Sequence, residues 1–221
     1  MDSKTQSKYD KLCKDFMVEF QQEEKEGTLT ATLAISRAIK LHQLSSGYLI
    51  TDDNVKIRVD NGRFEVLCGI LDERPEGTKT IIWAHYRDTI DELEERLNKK
   101  YGEQSTAKVY GGMSSESRTA NIQRFRSDKV CRTFIANPAS AGWGITLTEA
   151  DAAVYYSNSY NWEHRVQSED RFHRIGQKAS TVQYYDIIAD GTIDERILTV
   201  LKEKANFSQS VMTDLGDWFG K

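Results

Sequence analysis

Apolar positions along the 221 residues fall into two regimes. Up to about residue 50 they are sparse and spaced for helices. Phe16 and Phe20 sit at i, i+4, and Leu33, Ile35, Ile39 and Leu41 form a second, weaker stripe leading to Gly47. The run QQEEKEGT between them predicts a solvated turn. TDDNVKIRVDNGR (51–63) is polar and turn-rich, with Asn61-Gly62 its clearest turn signal, and reads as a connector.

From residue 64 onward, short apolar runs alternate with amphipathic ones. Phe64 to Leu71 predicts a helix, followed by a turn at Arg74-Pro75-Glu76-Gly77. KTIIWAH (79–85), KVYGG (108–112), CRTFIAN (131–137), AAVYYS (152–157) and TVQYYDIIA (181–189) predict strands. Between them, residues 88–100 form a helix with Ile90, Leu93 and Leu97 inward, and 114–128 one with Ile122 and Phe125 inward. Residues 161–174 predict a third helix. A fourth, 191–204, opens on the capping-box spacing Thr192-x-x-Glu195. Strands alternating with helices of about 10 to 15 residues define an α/β fold with a mostly parallel sheet, whose working loops lie beyond the carboxyl ends of the strands.

Composition narrows the class. With 38% hydrophobic and 29% charged residues the chain has material for a full core. Its apolar runs fall far short of the roughly 18 residues that a membrane span requires, and MDSKTQSKYDKLCKDF lacks the apolar stretch of a signal peptide. Cys13, Cys68 and Cys131 are scattered, with no CxxC pair, which fits packing residues in a reducing cytosol and no metal site. Thirty basic against 34 acidic residues give a net charge of −4, so any nucleic-acid binding must come from a local groove.

One stretch raises a charge question. In QSEDRFHRIGQ (167–177), helical spacing places Gln167, Arg171 and Arg174 on one face. Asp170 stands four residues before Arg174, and an exposed pair of that kind contributes only ~0.3–0.5 kcal/mol. Arg171 has Gln167 at that position and no carboxylate. Either other carboxylates of the chain neutralise the pair or an anionic ligand does.

The string resembles motif VI of superfamily-two helicases in its Swi/Snf-like form, Gln-x-x-x-Arg-x-His-Arg-Ile-Gly-Gln. That resemblance implies that Arg171 and Arg174 are arginine fingers to the γ-phosphate of ATP, with Gln167 beside them. NPASAGWGITLTEAD (137–151) resembles motif V. Its small residues let the backbone approach a partner closely, and free amides there can meet phosphate oxygens. The resemblance gives Gly144 to the nucleotide and Ser140 and Gly142 to DNA. Ala141, Thr146 and Ala139 stand where the family has glycine, asparagine and arginine; these departures resemble the phage and annealing-helicase-like branch.

KTIIWAHYRD (79–88) is similar to motif IV, which implies DNA-backbone contacts from His85 and Arg87. VYGGM (109–113) looks like the family's glycine turn against DNA, through Gly111 and Gly112. Trp162 lies near the family's Asp-Trp-Asn-Pro position, in the order Tyr160-Asn161-Trp162-Glu163, and is a candidate for base stacking. Tyr155, Tyr156, Tyr184 and Tyr185 fall inside strands and read as core.

The sequence contains neither GxxxxGK[ST] nor the acidic box that positions Mg²⁺. The resemblance therefore implies a RecA-like three-layer sandwich, the second lobe of an ATP-dependent DNA translocase. Residues 64–221 form that lobe with a C-terminal brace helix, and 1–63 a helical leader and connector, in which KLHQLSSG (40–47) resembles a recurrent stretch of the family. ATP and Mg²⁺ are expected to be held mainly by a first lobe on the same or a separate polypeptide. The expected partners are that lobe and DNA, with no membrane, in a bacterial or phage-infected cytoplasm. The competing expectation is a stand-alone module that binds nucleic acid or a partner without catalysis.

Overall fold

The computed structural model describes residues 3–26, 31–51, 53 and 55–219. The side chains at 4, 17–26, 31–34, 141–143 and 207–219 fall outside the description, so the expectations for Phe20, Leu33 and the last part of QQEEKEGT lie outside the described residues.

Two helices lead the chain, α1 (Ser3–Glu26) and α2 (Ala31–Ser45), followed by a short hairpin, β1 (Tyr48–Ile50) and β2 (Lys56–Arg58). Then come α3 (Arg63–Asp72), β3 (Thr80–Trp83), α4 (Arg87–Tyr101), β4 (Thr106–Val109), α5 (Ser115–Ser127) and β5 (Thr133–Ala136). A 3-10 turn at Pro138–Trp143 precedes β6 (Ala152–Tyr155), α6 (Trp162–Glu169), β7 (Gln183–Asp186) and α7 (Ile193–Phe219).

The five strands β3 to β7 form one sheet in the order β4-β5-β3-β6-β7, every pair parallel. Because successive strand residues point to opposite faces, each strand feeds two cores. Ile81, Trp83, Phe134 and Tyr155 pack with Phe125 of α5 and with Leu147 and Phe172. Ile82, Ile135 and Val154 pack with Leu67 of α3 and Ile90, Leu93 and Leu97 of α4. Helices thus cover both faces, the three-layer sandwich expected from the alternation, and Tyr155 and Tyr156 are core as read.

Three expectations change. The polar connector 51–63 contains β2, paired antiparallel with β1 from Tyr48↔Arg58 to Ile50↔Lys56. Its side chains are exposed, so no apolar alternation marks it; ion pairs of Lys56 with Asp88 and of Arg58 with Glu92 (2.9 Å) tie it to α4. On α2, Ile35 and Ile39 are exposed while Leu44, His42 and Ser45 are buried. The inward face of that helix is partly polar, and a purely apolar count misses it. Helix α1 also runs through QQEEKE rather than breaking there.

The leader is fastened to the rest by buried polar contacts. The Ser45 hydroxyl donates to Asp194 (2.8 Å), and the Ile193 amide donates to the Tyr9 hydroxyl (2.8 Å). Arg63 pairs with Asp194 and donates to the Tyr156 and Ile187 carbonyls. The cap of α7 is a shifted capping box: Glu195 accepts from the Gly191 amide (2.9 Å), while the Thr192 hydroxyl donates to the Ala189 carbonyl (2.7 Å).

Candidate functional site

Loops leave the carboxyl ends of the strands at 84–87, 110–114, 137–144 and 156–161, on one edge of the sheet. Three are bonded to one another. The His85 amide donates to the Ser157 hydroxyl (2.9 Å), and the Asn137 amide group donates to the His85 carbonyl. Arg87 reaches across to the loop after β4: its guanidinium lies over the Tyr110 ring, 4.5 Å from the centroid, and donates to the Tyr110 hydroxyl (3.2 Å). Asp91 approaches Arg87 at 3.7 Å, an exposed i, i+4 contact that leaves most of its charge available.

Gly111 and Gly112 are exposed beside Arg87's partner Tyr110. Gly112 takes φ +92, with open space where a Cβ would stand. His85 is less available. It is half-buried between the rings of Tyr86 (4.7 Å) and His42 (5.6 Å), and burial, with His164 nearby, pushes its pKa down. A neutral imidazole is a weaker phosphate ligand than Arg87. Trp162 is half-buried at the start of α6, whose N-cap Asn161 accepts from the His164 amide (3.1 Å).

In the loop after β5, Ser140 is buried and its hydroxyl is committed to the Asn137 carbonyl (2.5 Å). This directs the side chain into the turn. Gly142 is described only as part of the 3-10 turn. Gly144 ends that turn at φ +70, exposed, in a conformation that favours glycine.

Helix α6 stops at Glu169, so Arg171 and Arg174 do not continue the helical face of Gln167. Phe172 is fully buried in the α5-side core, and the Arg171 carbonyl accepts from the Leu147 amide (2.8 Å) instead of an amide further along its own helix. Tertiary pairing replaces the last turns. What joins the two motifs is this backbone bond, with Arg174 reaching the Thr146 hydroxyl of the segment that leads into β6.

The charge question has a direct answer. Among the described residues, neither Arg171 nor Arg174 forms an ion pair, and the Asp170–Arg174 pair is not made. The half-buried Arg171 has its Nε sealed from solvent without an acceptor. Arg174 is exposed, and among the described residues its guanidinium hydrogen-bonds only the Thr146 hydroxyl, at 3.4 Å.

Arg165, on α6 itself, behaves oppositely. It lies 3.5 Å over the Tyr155 ring and pairs with Glu169 and Asp186, both at 2.5 Å. Burial opposes its charge, but the Asp186 and Glu169 carboxylates more than offset this and hold its pKa above the ordinary value. A second residue the sequence reading missed is Arg126, whose Nε donates to the Thr146 carbonyl (3.2 Å), bringing a further cation beside Arg174. Its partner lies twenty residues away in sequence, so no local spacing announces it.

Residues 62–176 match the helicase conserved C-terminal domain family. An uncharacterized ATP-dependent helicase of Mycoplasma genitalium is 29% identical over 97% of this chain and 20% of its own length. Helicase SWR1 of Saccharomyces cerevisiae is 30% identical over 82% of this chain and 12% of its own. In structure, the chain superposes on the Sulfolobus solfataricus SWI2/SNF2 ATPase core in complex with dsDNA with a TM-score of 0.70, at 20% identity, covering 99% of this chain and 45% of that one. The chain belongs to the helicase conserved C-terminal domain family, in its Swi/Snf-like form, and has the fold of that family's second lobe. It spans a fifth or less of the length of the curated relatives it matches. No described helix is long and apolar enough to cross a membrane.

Proposed function

We propose that this chain is the second RecA-like lobe of an ATP-dependent DNA translocase, completing a nucleotide site whose P-loop and Mg²⁺-binding carboxylates belong to a first lobe. The observation that carries the reading is the pair Arg171 and Arg174, two cations without a carboxylate, one with a buried unused donor, beside the motif V segment. A buried donor without an acceptor costs about 1–3 kcal/mol, a cost a phosphate oxygen would relieve. Guanidinium groups are fitted to phosphate by their planar fork of donors. ATP, when bound between lobes, supplies the phosphoryl group; the residues of this chain neutralise charge on it and exclude water.

The DNA surface of this reading is the loop edge, led by Arg87 and the open turn Gly111-Gly112, with His85 and Trp162 as flanking contacts and Gly142 in the same loop as Ser140. Arg87 is presented by Tyr110; a lone guanidinium reading phosphate is indifferent to sequence. Closing and opening against the first lobe would move this edge along one strand.

With the first lobe present, Arg171→Ala or Arg174→Ala should lower DNA-stimulated ATP hydrolysis by ~10³-fold or more, with the circular dichroism spectrum unchanged. Near-normal turnover in both variants rejects the assignment. The isolated chain should hydrolyse no ATP; measurable turnover by it would mean that the nucleotide site is organised differently.

A further inference from the structure

Two neighbouring residues, Thr146 and Leu147, bear on both arginines of the proposed nucleotide site. The Thr146 hydroxyl accepts from Arg174 (3.4 Å), and the Leu147 amide donates to the Arg171 carbonyl (2.8 Å). Yet residues 144–147 form neither helix nor strand, so no ladder sets the direction of their peptide groups. Ile145 and Leu147 are buried in the core and hold the segment from inside. The orientation of the peptide group that joins Thr146 to Leu147 is left to its polar contacts.

We propose that Arg126 is a positioning residue of this site, which fixes the plane of the 146–147 peptide and through it the placing of Arg171 and Arg174. Two nitrogens of Arg126 donate to the Thr146 carbonyl, Nη2 at 2.5 Å and Nε at 3.2 Å. The peptide bond is trans, and its planarity makes carbonyl and amide one rigid unit with the two groups directed oppositely. A carbonyl clamped by Arg126 therefore aims the Leu147 amide at the Arg171 carbonyl. Turning that plane breaks both bonds together.

Arg126 is suited to holding rather than to binding phosphate. It belongs to α5, where the adjacent Phe125 is fully buried in the same core, so the clamp stands on a rigid element. Glu149 lies 3.8 Å from its Nε and offsets part of its charge, whereas Arg174, bonded to the same threonine, has no carboxylate among the described residues.

This role rests on the assignment of Arg171 and Arg174 to a nucleotide phosphate, and two measurements separate the claims. The first needs no nucleotide. In amide hydrogen exchange of the full chain, Leu147 should exchange about tenfold or more faster in Arg126→Gln than in the parent. Ile82 and Ile135, in the central strands, should keep their protection. Unchanged exchange at Leu147, or a loss shared by the central strands, overturns the role. The second is steady-state ATP hydrolysis with the first lobe present. Misplaced fingers weaken the transition state, so Arg126→Gln should lower kcat by ~10–100-fold while the KM for ATP moves less than about threefold. Arg126→Lys, which keeps a donor for the carbonyl, should recover part of the loss. A parental kcat in Arg126→Gln, or a rise in KM alone, overturns the role and leaves the fingers standing on the losses in Arg171→Ala and Arg174→Ala. Should those two variants turn over normally, the finger assignment falls and this role falls with it, whatever Leu147 does.

Discussion

Arg165 and Arg171 lie six residues apart, yet the molecule uses them in opposite ways. Arg165 is enclosed by Tyr155, Glu169 and Asp186, with a side chain only 11% exposed. Removing one member of such a buried network leaves the others uncompensated. Arg165→Gln should therefore cost about 3 kcal/mol of stability. Arg171 contributes no ion pair and carries an unused buried donor, so Arg171→Gln should destabilise by no more than about 0.5 kcal/mol. Urea melts of the two variants check the contrast, and equal destabilisation would show that Arg171 is structural. The sequence carried half of this. Glu169 stands at i+4 from Arg165 and was visible, whereas Asp186 is on another strand. The absence of an i−4 carboxylate for Arg171 was legible in the string, and the structure keeps that imbalance even though the helix invoked to explain it ends early.

At the scale of elements, periodicity located every strand of the parallel sheet and every helix packed on it, because each buries an apolar face that recurs at its own spacing. It failed where polar atoms supply the contacts. The β1–β2 hairpin is held by charges on α4, and α2 turns inward through His42 and Ser45. The start of α7 is the clearest case. Asp194 accepts from the Ser45 hydroxyl and the Ala189 amide and pairs with Arg63, joining α2, α3 and α7 at one carboxylate. Burial pushes the Arg63 pKa down to about 10, with Tyr156 opposing the shift, and the guanidinium is fully enclosed where it pairs with Asp194. Asp194→Asn is expected to destabilise by about 3 kcal/mol or more, since it leaves a buried cation unpaired. Replacing both partners, Arg63→Met with Asp194→Leu, should recover a large share of the loss. A double-mutant cycle measures this directly; additive losses would mean that the two residues are not coupled.

For the whole molecule, the consequence is that the leader is packed onto the sheet domain and touches the loop edge at the carboxyl ends of its strands. His42 of α2 is buried, and its Nδ1 is hydrogen-bonded to the Tyr86 hydroxyl (2.9 Å), one residue from Arg87. Desolvation, reinforced by the nearby His85 and Arg63, lowers the His42 pKa from 6.5 to about 3. The unfolded chain therefore binds a proton on His42 across that range while the native chain does not. Stability is full above about pH 6.5 and falls as pH drops towards 3, with a limiting slope of about 1.4 kcal/mol per unit. His85, also lowered by burial, adds to the loss with the same sign. Between pH 6.5 and 5, before most carboxylates titrate, His42 alone should remove about 2 kcal/mol. In His42→Gln, which keeps an acceptor for Tyr86, more than half of that pH dependence should vanish in chemical melts. An unchanged slope would place the titration elsewhere. If the slope does flatten, DNA binding, on the function proposed above, should depend less on pH in the same variant than in the parent, because His42 is bonded to Tyr86, the residue before Arg87.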